Sequence, residues 1–197
     1  EDLVAHDGAE LADGSIDPWL TEHTHRVLDL CTGNGSLAVL AAMAYPEVLV
    51  DAADISNDAL DVARINVEKH GLSDRITLLH SDGLQSVRGP YDLILCNPPY
   101  VNADAMKNLP AEYRAEPELA LASGDDGMDF IRALLATLRA EPDRHLTPDA
   151  VLVLEVGNER PNFVRAFPGL PVIWLDTTSG IDQLLLITRD ALLLELT

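Results

Sequence analysis

Short apolar runs alternate with amphipathic helical patterns along the chain from residue 26 onward. Each apolar run is short, is bounded by turn residues and has the composition of a buried strand. The pattern predicts strands at residues 26–31, 48–54, 75–80, 91–96 and 150–157, and helices at residues 36–45, 56–71 and 128–140. Such an alternation of strands and helices is typical of a mostly parallel sheet with helices on both faces.

The end of the chain departs from this alternation. After a short helix predicted at residues 162–167, two further strands are predicted at residues 170–176 and 182–188. Only the turn "TTSGI" separates them, and two strands joined so closely pair antiparallel. The predicted fold class is therefore α/β: a doubly wound, mostly parallel seven-stranded sheet with a C-terminal antiparallel hairpin.

Length and composition favour one domain with a full core, since the chain has 197 residues, 47% of them apolar. Residues 1–24 are polar and predict a lead-in segment, and residues 25–197 predict the domain. No apolar run is long enough to span a membrane, and the start has no signal-peptide pattern. Cys31 and Cys96 each end an apolar run and are predicted to be reduced core residues. These features predict a cytoplasmic protein with no membrane partner.

The charge balance is strongly acidic, with 13 Lys and Arg against 33 Asp and Glu, a net charge of −20. Nucleic-acid backbones are bound through Lys and Arg, which replace counterions, so this balance opposes binding to DNA. It is compatible with a basic protein partner, and charge alone favours the alternative, an acidic surface that keeps the protein soluble. The six histidines show no spacing typical of metal ligands, so no metal is predicted.

A glycine-containing turn, "DLCTGNGSLA", joins the first strand to the first helix. Gly33 and Gly35 would let the backbone approach a ligand closely, because a Cβ would obstruct it. Asp54 ends the next strand, and a carboxylate there can accept both hydroxyls of a ribose. The pattern from Gly33 to Ala38 also fits a dinucleotide fingerprint or a plain strand-to-helix turn, so the ligand stays open at this point.

Acidic residues at the ends of the strands favour a cationic ligand. Asp29 precedes the glycines, where it would repel a pyrophosphate and attract a sulfonium such as that of S-adenosylmethionine. The first glycine also comes late, after Cys31 and Thr32. Asp82 in "HSDGL" follows the third strand and could accept from an adenine amino group, although an isolated aspartate there is usually a turn residue. Together these aspartates predict a crevice for a nucleoside ligand at the carboxyl ends of the strands.

The motif "NPPY" directly follows the fourth strand. Proline has no N–H, so Pro98 and Pro99 leave nearby carbonyls without their usual partners. The side-chain oxygen of Asn97 and the Pro98 carbonyl could accept the two hydrogens of one planar –NH2 group, with Tyr100 as a flat wall. Such a clamp suits a carboxamide or a nucleobase amine. The alternative is a rigid turn with a tyrosine at the edge of the core.

The chain resembles the protein-glutamine N5-methyltransferases. The resemblance is carried by "DLCTGNG", "AADIS", "HSDGL" and "CNPPYV" in that order, and it extends through "LPAEYRAEPELALASGDDGMDFIRALL" and "LEVGN". The segments "EYRAEPELAL" and "EVGN" are more similar to the branch that methylates ribosomal protein L3 than to the release-factor branch. Family members carry a helical N-terminal domain before the first strand, so the resemblance implies that this chain is the catalytic domain alone.

The resemblance implies a class I, Rossmann-like fold that binds S-adenosylmethionine and its product S-adenosylhomocysteine. The predicted cofactor site comprises Asp29, Cys31, Thr32, Gly33, Asn34, Gly35, Asp54, Ile55, Asp82, Gly83 and Asn97. Asn97, Pro98 and Tyr100 are the predicted catalytic residues, and with Pro99 they form the predicted glutamine site. The long loop predicted at residues 97–127 would face the substrate, or would be a charged surface loop.

Three functions are compatible with these features. The first is methylation of a glutamine side chain, with ribosomal protein L3 or a release factor as the protein substrate. The second is N6-methylation of adenine in nucleic acid, since the same clamp suits a flipped base, although the net charge opposes it. The third is a cofactor-binding assembly module without enzymatic activity, which the intact clamp opposes. The oligomeric state is not predicted.

Overall fold

A computed structural model of the chain describes residues 24–100, 123–177 and 180–194. The described residues form one seven-stranded sheet with the order β3-β2-β1-β4-β5-β7-β6. The strands are β1 (Arg26–Leu30), β2 (Leu49–Asp54), β3 (Ile76–His80), β4 (Tyr91–Cys96), β5 (Leu146–Glu155), β6 (Ile173–Thr177) and β7 (Gly180–Thr188). The predicted fold class is confirmed, including the seven strands.

Helices connect most of the strands. They are α1 (Ser36–Ala44), α2 (Asn57–Lys69), α3 (Asp129–Ala140), α4 (Pro142–His145), α5 (Arg160–Ala166) and α6 (Arg189–Leu193), with a 3₁₀ turn at Gly157–Glu159. Ser56 caps α2, as its "SNDA" start suggests, and its hydroxyl accepts from the Ala59 amide at 3.2 Å. Within the described parts of the chain, no helix has the length and apolar character needed to cross a membrane.

The sheet is parallel from β3 to β5, and its direction of winding reverses at β1. Parallel β1 lies between β2 and β4, with Leu30 opposite both Ala53 and Cys96. The chain first winds outward from β1 to β3 and then returns across β1 to form β4. In open α/β sheets a ligand crevice lies at such a reversal, at the carboxyl ends of the strands. The loops after β1 and β4 therefore meet where the sequence places its two main motifs.

The last two strands close the sheet as an antiparallel hairpin. β7 pairs antiparallel with β5, and β6 pairs antiparallel with β7. Glu155, the last residue of β5, is opposite Leu184 of β7. The predicted hairpin is confirmed, and it backs the carboxyl end of β5 on the side away from β4.

The core consists of one apolar layer on each face of the sheet. Helices α1 and α2 cover one layer, which includes Val27, Ala38 and Val67. Helix α3 covers the other layer, which includes Leu28, Leu30 and Ile131. Because both faces are covered, most residues of the central strands are apolar, and this made the strands predictable.

The structure differs from the sequence prediction in two places. Strand β5 begins at Leu146, not at residue 150, and the short helices α4 and α6 were not predicted. Pro148 and Asp149 in the first half of β5 are typical of a turn, but the pairing with β4 shifts register between Tyr91 and Leu93. Proline is tolerated at such an irregularity because no regular ladder bond is needed there.

Candidate active site

The turn after β1 has the left-handed backbone that its glycines permit. Cys31, Gly33 and Gly35 have φ of 61°, 55° and 80°. A Cβ on Gly35 would lie 3.0 Å from the Cβ of Ala63, so glycine lets the start of α1 pack closely on α2. A Cβ on Gly33 would meet no atom within 4 Å, so this part of the turn has open space beside it. The turn thus has a packed side at Gly35 and an open side at Gly33.

Asp54 ties this turn to the end of β2. Its two carboxylate oxygens accept hydrogen bonds from the amides of Gly33 and Ser56, each at 2.9 Å. The Thr32 amide also donates to the Ala53 carbonyl at 3.0 Å. A carboxylate has about four lone-pair sites, so the two amides leave capacity for further donors such as ribose hydroxyls. Asp54 therefore shapes the turn and retains acceptors for a ligand.

Asp29 lies beneath the turn and does not line the crevice. Its side chain is fully buried, and one oxygen accepts from the Ala38 amide at 2.9 Å and from the Thr32 hydroxyl. Burial raises the pKa of Asp29 from 3.8 to about 6, against the effect of those two hydrogen bonds. Asp29 therefore supports the turn through its hydrogen bonds with Thr32 and Ala38.

Replacement of Asp29 by Asn is expected to remove a pH dependence of stability. A raised folded-state pKa means that the stability from this group is present below pH 3.8 and is lost as the pH rises to about 6. The free energy of unfolding of the parent should therefore fall, relative to that of Asp29→Asn, by up to about 3 kcal/mol across this window. Urea melts of both proteins at pH 4 to 7.5 measure the difference, and a constant difference would contradict a raised pKa.

The remaining predicted cofactor residues are spread along the same edge of the sheet. Ile55 is 41% exposed directly after Asp54, and its carbonyl is 2.8 Å from a ring nitrogen of His80. Asp82 is exposed and accepts from the Gln85 side chain at 3.2 Å, and Gly83 has φ of 53°. This arrangement gives an apolar surface at Ile55 with polar groups beside it, which suits a nucleobase.

Asn34 has a structural role at the start of α1. Its side-chain oxygen accepts from the Ser36 amide at 3.1 Å and from the Ser36 hydroxyl at 2.7 Å. Its carbonyl accepts from the Asn66 side chain at 2.8 Å. Asn34 therefore joins the turn to both α1 and α2. These contacts are enough to account for an asparagine at this position, with no ligand contact needed.

The two cysteines end the neighbouring strands β1 and β4. Cys96 is buried and Cys31 is half-buried, and both are free thiols. Burial raises the pKa of Cys96, and the adjacent Cys31 thiol raises it further. The prediction of reduced cysteines in the core is confirmed for Cys96, and Cys31 lies at the edge of the core beside the turn.

The "NPPY" motif continues from β4 into the same crevice. Asn97 is exposed, Pro98 is buried and Tyr100 is half-buried. The Tyr100 hydroxyl donates to Glu155 at 3.1 Å, and a Cβ on Gly157 would lie 2.5 Å from the Tyr100 ring. The sequence prediction gave no role to Glu155 or Gly157, although "EVGN" begins at the last residue of β5, which neighbours β4. The structure thus places the motif beside the end of β5.

The described part of the site consists of hydrogen-bond acceptors, an open glycine turn and an aromatic ring. Among residues 24–100, 123–177 and 180–194, no group of three or more His, Cys, Asp or Glu side chains could hold a metal ion. The predicted loop at residues 97–127 lies mostly outside the described residues.

The sheet order and the turn after β1 are those of class I S-adenosylmethionine-dependent methyltransferases. The catalytic domain of human METTL16 in complex with a MAT2A 3′UTR hairpin has a TM-score of 0.61 and 18% identity, over 83% of this chain and 63% of that one. Ribosomal protein L11 methylase of Lactobacillus delbrueckii has a TM-score of 0.55 and 18% identity, over 92% and 74%. These similarities show the fold.

The chain belongs to the methyltransferase small domain family, whose profile matches residues 16–120. It is 51% identical over 187 residues to the ribosomal protein uL3 glutamine methyltransferase of Bordetella pertussis, covering 93% of this chain and 61% of the relative. It is 46% identical over 186 residues to the enzyme of that name from Neisseria meningitidis, covering 93% and 60%. The chain thus spans about three fifths of the length of these relatives.

Proposed function

We propose that the chain transfers a methyl group from S-adenosylmethionine to the side-chain nitrogen, N5, of a glutamine in a protein, with S-adenosylhomocysteine as the product. The observation that carries the proposal is the 51% identity to a uL3 glutamine methyltransferase over 93% of this chain. The exposed Asn97 beside the open turn supports it, because this geometry suits the two substrates of such a transfer.

The cofactor would lie on the turn after β1 and along the end of β2. Gly33 leaves space for it, Asp54 has acceptors for its ribose hydroxyls, and Ile55 offers an apolar surface for its adenine. Asp82 is exposed at the end of β3, where it could accept from the adenine amino group. When bound, S-adenosylmethionine supplies an electrophilic methyl group on a positively charged sulfur.

Asn97 and Pro98 would hold the acceptor amide. The Asn97 side-chain oxygen and the Pro98 carbonyl accept its two N–H hydrogens, and the Tyr100 ring provides a wall for its plane. An amide nitrogen is a poor nucleophile because its lone pair is delocalised, so catalysis consists mainly of positioning. The two acceptors also stabilise the positive charge that develops on nitrogen before one of its protons is lost to solvent.

The proposed acceptor protein is ribosomal protein uL3. The two relatives named above carry this substrate in their names. A net charge of −20 also favours a basic protein over a nucleic acid, because phosphates are repelled while Lys and Arg are attracted. Association with a basic protein should therefore be weakened by salt. A substrate of this kind places the chain in the cytoplasm.

The test offers the chain labelled S-adenosylmethionine with purified uL3, a release factor, duplex DNA and single-stranded DNA in parallel. We expect N5-methylglutamine in uL3 by mass spectrometry, with less product at moderate than at low salt. Methyladenine as the main product would replace the proposal by the nucleic-acid function. Methylation of the release factor alone would change the acceptor, and cofactor binding without methylation of any acceptor would favour the assembly module.

A further inference from the structure

We propose that Glu155 is a positioning residue for the acceptor amide, which acts by holding the Tyr100 ring against the backbone of Gly157. The inference rests on the proposed function, because Tyr100 is the wall of the proposed amide clamp. Glu155 is the last residue of β5 and Gly157 lies two residues further along, so both are outside the "NPPY" motif. The role assigned to Glu155 is indirect, since its observed contact is with Tyr100.

Two contacts fix the ring from different directions. The Tyr100 hydroxyl donates a hydrogen bond to Oε1 of Glu155 at 3.1 Å, which fixes the outer end of the ring. A Cβ on Gly157 would lie 2.5 Å from Cε2 and 2.9 Å from Cζ of Tyr100, so the ring edge rests directly on the Gly157 backbone. Gly157 also has φ of 51°, a conformation that L side chains rarely adopt. Glycine is therefore required here twice, for its backbone angle and for the space that the ring uses.

The sheet itself places Glu155 beside the clamp. Cys96 of β4 is opposite Leu154 of β5 in parallel register. One residue further along both strands, Asn97 is level with Glu155. On its other side β5 is held by β7, where Glu155 is opposite Leu184 and the Val156 amide donates to the Gln183 carbonyl at 2.8 Å. The carboxylate is thus carried by a strand that is paired on both sides, and this pairing fixes the backbone of Glu155.

A rigid wall matters because the reaction depends on orientation. The amide nitrogen must point its lone pair at the methyl group, and a misplacement of about 1 Å can cost about a hundredfold in rate. A tyrosine ring at the start of a loop has rotamer freedom unless both its edge and its hydroxyl are held. Removal of the Glu155 carboxylate should release the hydroxyl end and lower the fraction of well-oriented complexes. The cofactor turn after β1 should be unaffected.

The test is a double-mutant cycle on Glu155→Ala and Tyr100→Phe, measured as methylation of uL3 by this chain. Each single variant should lower kcat about tenfold and leave the affinity for S-adenosylmethionine within about twofold. The double variant should be no slower than the slower single variant, because each change removes the hydrogen bond between Tyr100 and Glu155. Independent, multiplicative losses would overturn the inference, and so would Glu155→Ala with the activity of the parent.

Two further variants separate positioning from a general effect of charge or stability. Glu155→Gln keeps an oxygen acceptor for the hydroxyl, and it should recover most of the activity lost in Glu155→Ala. Asp149→Ala removes an exposed carboxylate from the other end of the same strand and should be as active as the parent. A Glu155→Gln variant as slow as Glu155→Ala, or an equal loss in Asp149→Ala, would overturn the assigned role.

A structural readout distinguishes failure of this inference from failure of the proposed function. If the parent methylates no glutamine, the proposed function fails, but the aromatic signals of ¹³C-tyrosine-labelled protein still report on the ring. The Tyr100 signal, assigned by its loss in Tyr100→Phe, should shift in Glu155→Ala and stay unchanged in Asp149→Ala. An unchanged Tyr100 signal in Glu155→Ala would overturn the inference whatever the activity of the parent.

Discussion

Replacement of Asn97 by Ala is expected to lower the rate of glutamine methylation by about a hundredfold or more, while cofactor affinity changes only a few-fold. Asn97 follows the last residue of β4 and is exposed, so its removal leaves the core and the proline turn in place. The variant loses one of two acceptors for the amide hydrogens, and with it the stabilisation of charge on nitrogen. Single-turnover kinetics and isothermal titration with S-adenosylhomocysteine measure the two quantities separately.

Asn97→Asp is the sharper probe, because it keeps the size of the side chain and an acceptor oxygen. It adds a negative charge and removes an N–H donor that could contact the acceptor's carbonyl oxygen. We expect its rate to stay well below that of the parent, since a carboxylate beside this carbonyl is unfavourable. Activity of either variant within a few-fold of the parent would mean that Asn97 has only a structural role.

Most strands and helices were predictable from the sequence because helices cover both faces of the central strands. Strands β1, β2 and β4 are mostly apolar, and their ends carry glycine, aspartate or proline. The first half of β5 was missed because Pro148 and Asp149 resemble a turn, and only the irregular pairing with β4 accommodates them. Helix α6 has five residues, too few for a periodic pattern, although its Thr188 cap is visible in the sequence.

The residues of the site fall into two groups. Some have roles set by their own turn or strand end, and others have roles set by the pairing of strands that are distant in sequence. Gly33, Gly35 and Asp54 could be identified because a turn and a strand end impose their own residue types. Asp29 was placed in the crevice because a sequence shows charge but does not show burial beneath a turn. Glu155 lies 55 positions from Tyr100, and their contact exists only because β5 pairs with β4. No spacing rule in the sequence connects them.

Asp54→Ala is expected to weaken binding of both S-adenosylmethionine and S-adenosylhomocysteine by about a hundredfold. Each hydrogen bond to a charged group contributes about 1.5–3 kcal/mol, which corresponds to roughly tenfold to a hundredfold in affinity. The variant would lose the proposed ribose contacts and the hydrogen bond that fixes the Gly33 amide in the turn. The two effects act on the same ligand, so the expected loss is at the upper end of that range.

Two comparisons make the Asp54 result specific. Asp58→Ala removes an exposed carboxylate from the first turn of α2, four positions further along, and should leave affinity within about twofold because no proposed ligand contact involves it. Thermal melts of both variants separate weaker binding from loss of fold.

The parent must also prefer S-adenosylmethionine to NAD, because a dinucleotide brings a pyrophosphate towards a domain of charge −20. Tight NAD binding with no S-adenosylmethionine binding would make the turn after β1 a dehydrogenase site, and the role of Asp54 would then be to bind the ribose of a different cofactor.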